Sequence, residues 1–506
     1  MIFGCVYRLR SVCMDPIDVI FNPETVAVVG ASNDLTKWGA GIFARVLTSP
    51  SVKRLYPVNK HQAVVQGVRT YPSVRDLPEP VDFVAIVIPY PDVPQVIRDC
   101  VERGVKTALI ITAGLGETGE EGVRLEREIV GTAQKIGMRM VGPNCMGHFN
   151  GINGFSTLRM SIPIEKGSIG VISQSGGFAM HILMCGMEMG VGFSKFVSVG
   201  NEADLHFEDF LSYMARDEHT KVITGYIEGL RKGREFFRLA KEITRKKPMV
   251  VVKVGRTPAG AKAARSHTSA IAGSDIVYDA AFKQAGVLRV DNVEELFDVA
   301  SALLRQPLPR GNRVGILTSG GGFGCVTSDA CERLGLKVAP LSRETIEKLN
   351  KVLPDRWPHS NPVDTVATGM SNVTYDCIWP LMEDPNLDAL LIIGGIGMST
   401  MFPRFGANTI KELLPKTENP EPFIDFAQSI FAGVQAQELE GLDRLFEYMD
   451  KYKKPVIVSS HITEATRNSP VFQKLQKNGV MMYATPERAA AVVARLAEYS
   501  AYLNSL

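Results

Sequence analysis

The sequence predicts an α/β protein of three successive domains, each a parallel sheet with helices packed on both faces. Three observations predict it: strand-like apolar runs that alternate with helical patterns, a gapless internal repeat in the later part of the chain, and Gly- and Ser-rich turns where strands give way to helices. At 506 residues the chain is long enough for about three domains, each burying its own core.

The first domain, residues 14–150, reads in order as strand Val26–Val29, a helix from about Gly39 to Leu47, strands Arg54–Val58 and Phe83–Ile88, a helix through Val93–Arg103, and strands Thr107–Thr112 and Met138–Val141. The opening strand runs into Gly30-Ala31-Ser32, with Gly39 and Gly41 further on: a nucleotide-type phosphate loop without a strict G-x-G-x-x-G spacing. A nicotinamide dinucleotide would need an acidic residue at the end of the second strand to hold a ribose. Here that strand ends Tyr56-Pro57-Val58-Asn59-Lys60, and the cation favours a ligand with extra phosphate, such as coenzyme A. The domain is therefore expected to be Rossmann-like.

From Gly167 onward the chain repeats itself. Gly170 to Ala179 aligns without gaps to Gly315 to Gly324, 145 positions later, and the strand beginning at Lys246-Lys247-Pro248 matches that beginning at Lys453-Lys454-Pro455. Two flavodoxin-like domains in tandem, 151–305 and 312–506, are the simplest account, joined by a Pro/Gly linker around Gln306 to Asn312. The copies differ in one place. From Pro248 to Gly286 the first has 37 intervening residues, and from Pro455 to Gly479 the second has 23. The additional residues accommodate Arg265 to Gly273, a loop that sets His267 among small residues and no acidic ones. Upstream, Val171-Ile172-Ser173-Gln174-Ser175-Gly176-Gly177 is an apolar strand running into a turn that opens a helix, where backbone N–H groups collect an anion. Together the two elements suggest an enzyme phosphorylated on histidine.

Composition narrows the class. A net charge of +2 gives no electrostatic case for nucleic acid, and no apolar run approaches a membrane span. The eight cysteines never form a Cys-x-x-Cys pair, so neither disulfides nor a metal site is indicated, and a reducing, cytoplasmic setting is expected. Residues 1–13 read as a frayed tail or an upstream start rather than a targeting segment.

With these residues in hand the chain resembles the α subunits of NDP-forming acyl-CoA synthetases, the group of ADP-forming acetyl-CoA synthetase and, more distantly, succinyl-CoA synthetase. The resemblance covers the chain from about Asp15. It rests on Val29 to Ser32, Tyr56 to Asn59, Ile110 to Gly114, Gly142 to Gly147, Ser173 to Gly176, Ser266-His267-Thr268 and Asn361 to Asp364, taken in this order. At Ser269-Ala270 the chain departs from the family's common Gly-Ser.

The resemblance implies interconversion of acyl-CoA, ADP and phosphate with carboxylate, CoA and ATP, through an acyl phosphate and then a phosphohistidine. Imidazole suits that role because it is nucleophilic near neutral pH, and a carboxylate can orient it. The resemblance implies His267 as the phosphorylated residue and Glu228, after the apolar strand Val222–Tyr226, as its orienting carboxylate. Phosphate is expected at Ser173, Gln174, Ser175, Gly176 and Gly177. Coenzyme A is expected along Gly30, Ala31, Ser32, Lys37, Val58, Asn59, Lys60, Ile88, Pro89, Thr112, Ala113, Gly114 and Asn144, with Cys145 as a neighbour of the thioester. ADP or ATP and Mg2+ would be held by a separate ATP-grasp β subunit, in an α2β2-type assembly acting on a small carboxylic acid. Two other readings remain: a succinyl- or citryl-CoA type subunit, and a CoA-binding regulatory protein without activity. His148, directly after the Asn144–Gly147 motif, is a weaker candidate for the substrate pocket.

Overall fold

A computed structural model describes residues 15–267, 274–366, 371–397, 399, 412, 421–460 and 464–506. The first sheet carries strands in the order Arg54–Val58, Thr25–Val29, Phe83–Ile86, Thr107–Ile110 and Arg139–Val141, all parallel. Numbered by sequence this is 2-1-3-4-5, a doubly wound order whose switch point lies beside the first strand. Thr25–Val29 is buried throughout, as a central parallel strand covered on both faces must be. The strands expected over Phe83–Ile88 and Thr107–Thr112 end two residues early, at Ile86 and Ile110. Their last residues leave the ladder to line a cavity.

The second sheet follows the same 2-1-3-4-5 order, with Phe193–Ser198, Lys166–Ser173, Val222–Ile227, Met249–Lys253 and Val287–Val290, and adds the antiparallel edge strand His148–Asn150. The third has Lys337–Val338, Arg313–Thr318, Ala389–Ile393, Val456–Ser459 and Met482–Tyr483, with Val363–Asp364 also pairing Arg313–Thr318. The repeat seen in the sequence is thus one topology built twice.

The chain divides into two compact units, ending at Phe297 and beginning at Asp298, inside the helix Val293–Arg305. In the first unit one apolar core runs between the first two sheets, from Val28, Phe43 and Phe83 through Phe155 to Ile172, Val197 and Phe207. The helix Pro16–Phe21 closes it: Asp15 caps its N-terminus by accepting from Ile17 N–H at 3.0 Å, and Phe21 stacks on Tyr213. The second unit has its own core around Trp357, Ile378, Leu390 and Val458.

Backbone hydrogen bonds join the first two sheets directly. Asn201 N–H donates to Pro143 O at 2.9 Å, Ala203 N–H to Gly142 O at 3.1 Å and Leu205 N–H to Met140 O at 3.2 Å. Asp204 completes the seam, accepting from Arg139 Nε at 2.9 Å and Met140 N–H at 2.8 Å. Gly200, at φ +61°, permits this approach, because a Cβ there would lie 2.2 Å from Pro143 O.

Candidate functional site

The C-terminal ends of the strands in both sheets open onto two cavities that share Asn144, Gly176 and Gly177. The larger, about 1070 Å³, has Gly30, Ser32, Lys37, Asn59, Ile88, Pro89, Thr112, Ala113 and Asn144 in its wall, together with Cys145. Its cradle depends on two glycines. Gly30 takes φ +92°, where a Cβ would sit 2.1 Å from Val87 O, and a Cβ on Gly39 would sit 1.9 Å from Gly30 O. Gly39 therefore brings the start of the helix Trp38–Leu47 against the first strand, the close approach that a standard dinucleotide loop assigns to glycine at a different spacing.

Four expected residues lie outside this wall. Ala31 and Val58 have buried side chains, because their backbone oxygens brace the loop instead: Asn59 Nδ2 donates to Ala31 O at 2.7 Å and Gly30 N–H to Val58 O at 3.0 Å. Lys60 is exposed beyond the strand end. Gly114 turns away at φ +98°, its N–H donating to Glu117 Oε1 at 2.5 Å. Sequence reasoning did not assign Trp38, Tyr90, Met146, Arg159, Met160 and Met180, which also line the wall. Arg159 donates to Thr36 O at 3.0 Å and lies 5.4 Å from the Trp38 ring centre, so it braces the loop that follows the first strand. Met146 lies within the Gly142–Gly147 motif, but no local motif marks the others. Cys145 is 5% exposed, donates to Ile110 O at 3.4 Å and is pushed up to about 12 by burial, so it stays a thiol.

The smaller cavity, about 330 Å³, gathers Gln174, Ser175, Gly176, Gly177 and Glu228. It lies at the switch point, where strands Lys166–Ser173 and Val222–Ile227 run side by side. Ser175 caps the helix Gly176–Glu188, its hydroxyl oxygen accepting from Phe178 N–H at 3.2 Å. The first N–H groups of a helix have no partner within it, and Gly176 and Gly177, which line the cavity, stand at the positive end of the helix dipole. A Cβ built on Gly177 meets nothing within 4 Å, so packing does not call for glycine there; a side chain would simply take up cavity space. Ser173 differs from expectation: it is fully buried and donates to Ser175 O at 2.9 Å, bracing the turn rather than facing the cavity.

The wall also includes Glu117, Glu126, Asn201, Glu202 and Arg231, none of them foreseen. Asn201 Nδ2 donates to Glu117 Oε2 at 2.6 Å and Glu126 Oε2 at 3.0 Å, and Asn201 Oδ1 accepts from Asn144 Nδ2 at 3.2 Å. Glu202 is 5% exposed at φ +55°, and burial raises its carboxyl to about 7. The available signal was position, since Asn201 and Glu202 follow the strand Phe193–Ser198 at the edge where α/β sheets collect their ligands.

The backbone is helical over Pro258–His267, which corrects the expectation of a loop at His267. Its side chain, and residues 268–273 that follow, lie outside the described residues. Downstream, the helix Asp275–Gln284 is anchored by Arg289, which donates to Asp275 Oδ1 at 2.6 Å and also pairs with Asp279. His148 is no part of either wall. It is buried between Phe21, Phe83 and Phe155; Nε2 donates to Ile20 O at 2.8 Å and Nδ1 accepts from the Thr157 hydroxyl at 3.1 Å. Burial lowers its pKa to about 4. Among the described residues no group of three His, Cys, Asp or Glu is arranged to hold a metal ion, and no helix is long and apolar enough to cross a membrane.

Residues 24–150 match the CoA binding domain family, and 166–303 match the succinyl-CoA ligase like flavodoxin domain family. The chain is 39% identical over 485 residues to the acetate–CoA ligase [ADP-forming] II subunit alpha of Pyrococcus furiosus, covering 95% of this chain and 97% of that one. It is 41% identical over 374 residues to the acetate–CoA ligase [ADP-forming] I of Archaeoglobus fulgidus, which accounts for 74% of this chain but only 54% of that longer protein. Among solved structures, the dinucleotide forming acetyl-coenzyme A synthetase 1 of Ca. Korarchaeum cryptofilum, in complex with phosphate and ADP, superposes with a TM-score of 0.80 at 31% identity, covering 97% of this chain and 98% of that one.

Proposed function

The chain belongs to the family of ADP-forming acetate–CoA ligase α subunits, and from that premise we propose that its two joined cavities divide the reaction between them. The larger takes CoA and the acyl group; the smaller takes phosphate and the histidine that carries it onward. The observation that supports this reading is the helix start at Gly176 and Gly177, which borders both cavities and so presents one anion-binding terminus to each.

In the direction of ATP formation, phosphate held by the N–H groups of Gly176 and Gly177 attacks the thioester carbonyl, forming acyl phosphate and releasing CoA as thiolate. His267 then takes the phosphoryl group, releasing the carboxylate, and gives it to ADP. CoA supplies the thiol that leaves in the first step. Lys37 and the N–H groups of the loop after Gly30 offset its phosphate charge, and Gly39 keeps the room for it. Glu228 accepts from the imidazole N–H opposite the attacking nitrogen, holding the tautomer that can attack and stabilising the cation that forms. The enzyme is a ligase; the acid, the ATP-grasp subunit that binds nucleotide with Mg2+, and an α2β2 assembly belong to the proposal. The domain limits 14–150, 151–305 and 312–506 are part of it too, with the third domain keeping the sheet order but not the histidine segment.

The test is to incubate the chain and its ATP-grasp subunit with γ-labelled ATP. Acid-labile, base-stable label on the α chain is expected, and His267→Ala should remove it. Absence of label on the unaltered protein, or label on His267→Ala, would overturn the reading.

A further inference from the structure

Glu228 sits on a loop, yet both sides of its peptide are held. Its N–H donates to Gln174 Oε1 at 2.6 Å, and its carbonyl accepts from Lys253 Nζ at 3.0 Å. The Gln174 amide is used at both ends. Oε1 also accepts from Gly229 N–H at 3.1 Å, while Nε2 donates to Gly229 O at 2.6 Å and to Glu202 Oε2 at 2.9 Å. Glu202 accepts at its other oxygen too, from Phe207 N–H at 2.7 Å. One side chain, 7% exposed, therefore ties together the loops leaving three adjacent strands: the phosphate turn after Ser173, the Glu228 loop after Ile227, and the Glu202 loop after Ser198.

The polarity of this chain of bonds runs one way only. Oε1 of Gln174 must face two backbone N–H groups, so Nε2 must face Glu202, and Glu202 must accept at both of its oxygens. A carboxylate does so; a glutamine at 202 would turn an N–H toward a donor. The internal repeat gives an independent pointer, because the residue aligned with Gln174 in the copy without the histidine segment is Ser319, too short to reach across.

We propose that Gln174 and Glu202 are positioning residues that set the distance between the Glu228 carboxylate and the phosphate-binding start of the helix Gly176–Glu188, and hence the rate at which His267 is phosphorylated. This rests on the phosphohistidine reading above. Glu202 holds an unfavourable left-handed backbone, a conformation that persists where surrounding contacts enforce it.

The experiment uses the chain with its ATP-grasp subunit, and measures phosphorylation of the α chain, steady-state kcat and KM for phosphate, and CoA binding by calorimetry. Gln174→Glu and Glu202→Gln should each slow labelling on the order of 10- to 100-fold, the scale of a roughly 1 Å misplacement, with CoA affinity unchanged. The double variant Gln174→Glu with Glu202→Gln keeps the net charge and restores a bond between the two side chains in reversed polarity. It should recover part of the loss. Single variants that label at the wild-type rate would overturn the clamp, as would a double variant whose loss is the product of the two single losses. Loss of CoA binding and thermal stability together with labelling would make the role merely structural and overturn it too. If the unaltered protein takes no label, it is the phosphohistidine reading that fails.

Discussion

At the scale of the residue, chemistry is set by what surrounds a group more than by what the group is. Gly177 shows this at the smaller cavity: packing does not need glycine there, and the proposed phosphate site would. Gly177→Ala should leave stability within about 1 kcal/mol, or raise it slightly by stiffening the unfolded chain, while increasing KM for phosphate about tenfold. Steady-state kinetics and thermal melts check the two halves separately. His148 shows the same lesson from the core. Its pKa falls to about 4 where it is buried, against about 6.5 when unfolded, so the unfolded chain binds the proton first and stability drops as pH falls from about 6.5 toward 4. The contribution is on the order of 3 kcal/mol across that window. In His148→Phe the melting temperature should fall less steeply between those pH values, whatever its absolute level; parallel profiles would contradict the assignment.

At the scale of the element, the strand-turn-helix units work because helix starts are pressed against strand ends. In the first domain Gly39 allows this contact, and an added Cβ would collide with a backbone oxygen that cannot rotate away. Gly39→Ala should therefore displace the helix Trp38–Leu47, cost about 1–3 kcal/mol, and weaken CoA binding at least tenfold by calorimetry. Lys37→Glu tests the same element through charge: affinity for CoA should fall without a change in melting temperature, because Lys37 faces the cavity rather than the core. Element boundaries were legible from the sequence to within two residues in the strands of the first sheet, since buried parallel strands read as unbroken apolar runs. They failed where the last strand residues peel off toward a cavity, and at His267, where Ala261 to Ser266 carry alanine-rich helix propensity through the position expected to be loop.

At the scale of the whole molecule, the two cavities exist because the first two sheets share a core and a hydrogen-bonded seam. Asp204 is the side chain that ties that seam to Arg139 and to the Met140 N–H. Asp204→Ala should cost about 2–3 kcal/mol and impair phosphate and CoA binding together, since the two cavities proposed to hold them lie against the same joint; paired binding measurements would show whether the losses are linked. The sequence by itself determined the α/β fold class, the repeat, the strand-turn-helix at Ser175–Gly177 and about half of the large cavity's wall, because periodicity and Gly/Ser turns are local signals. Only the tertiary structure decided that Ala31, Val58 and Ser173 brace rather than face a cavity, that His148 belongs to the core, and that Glu202 joins Gln174 beneath Glu228. Those assignments depend on which loops converge at a sheet's switch point, and contacts between residues tens of positions apart leave no periodic trace in a chain.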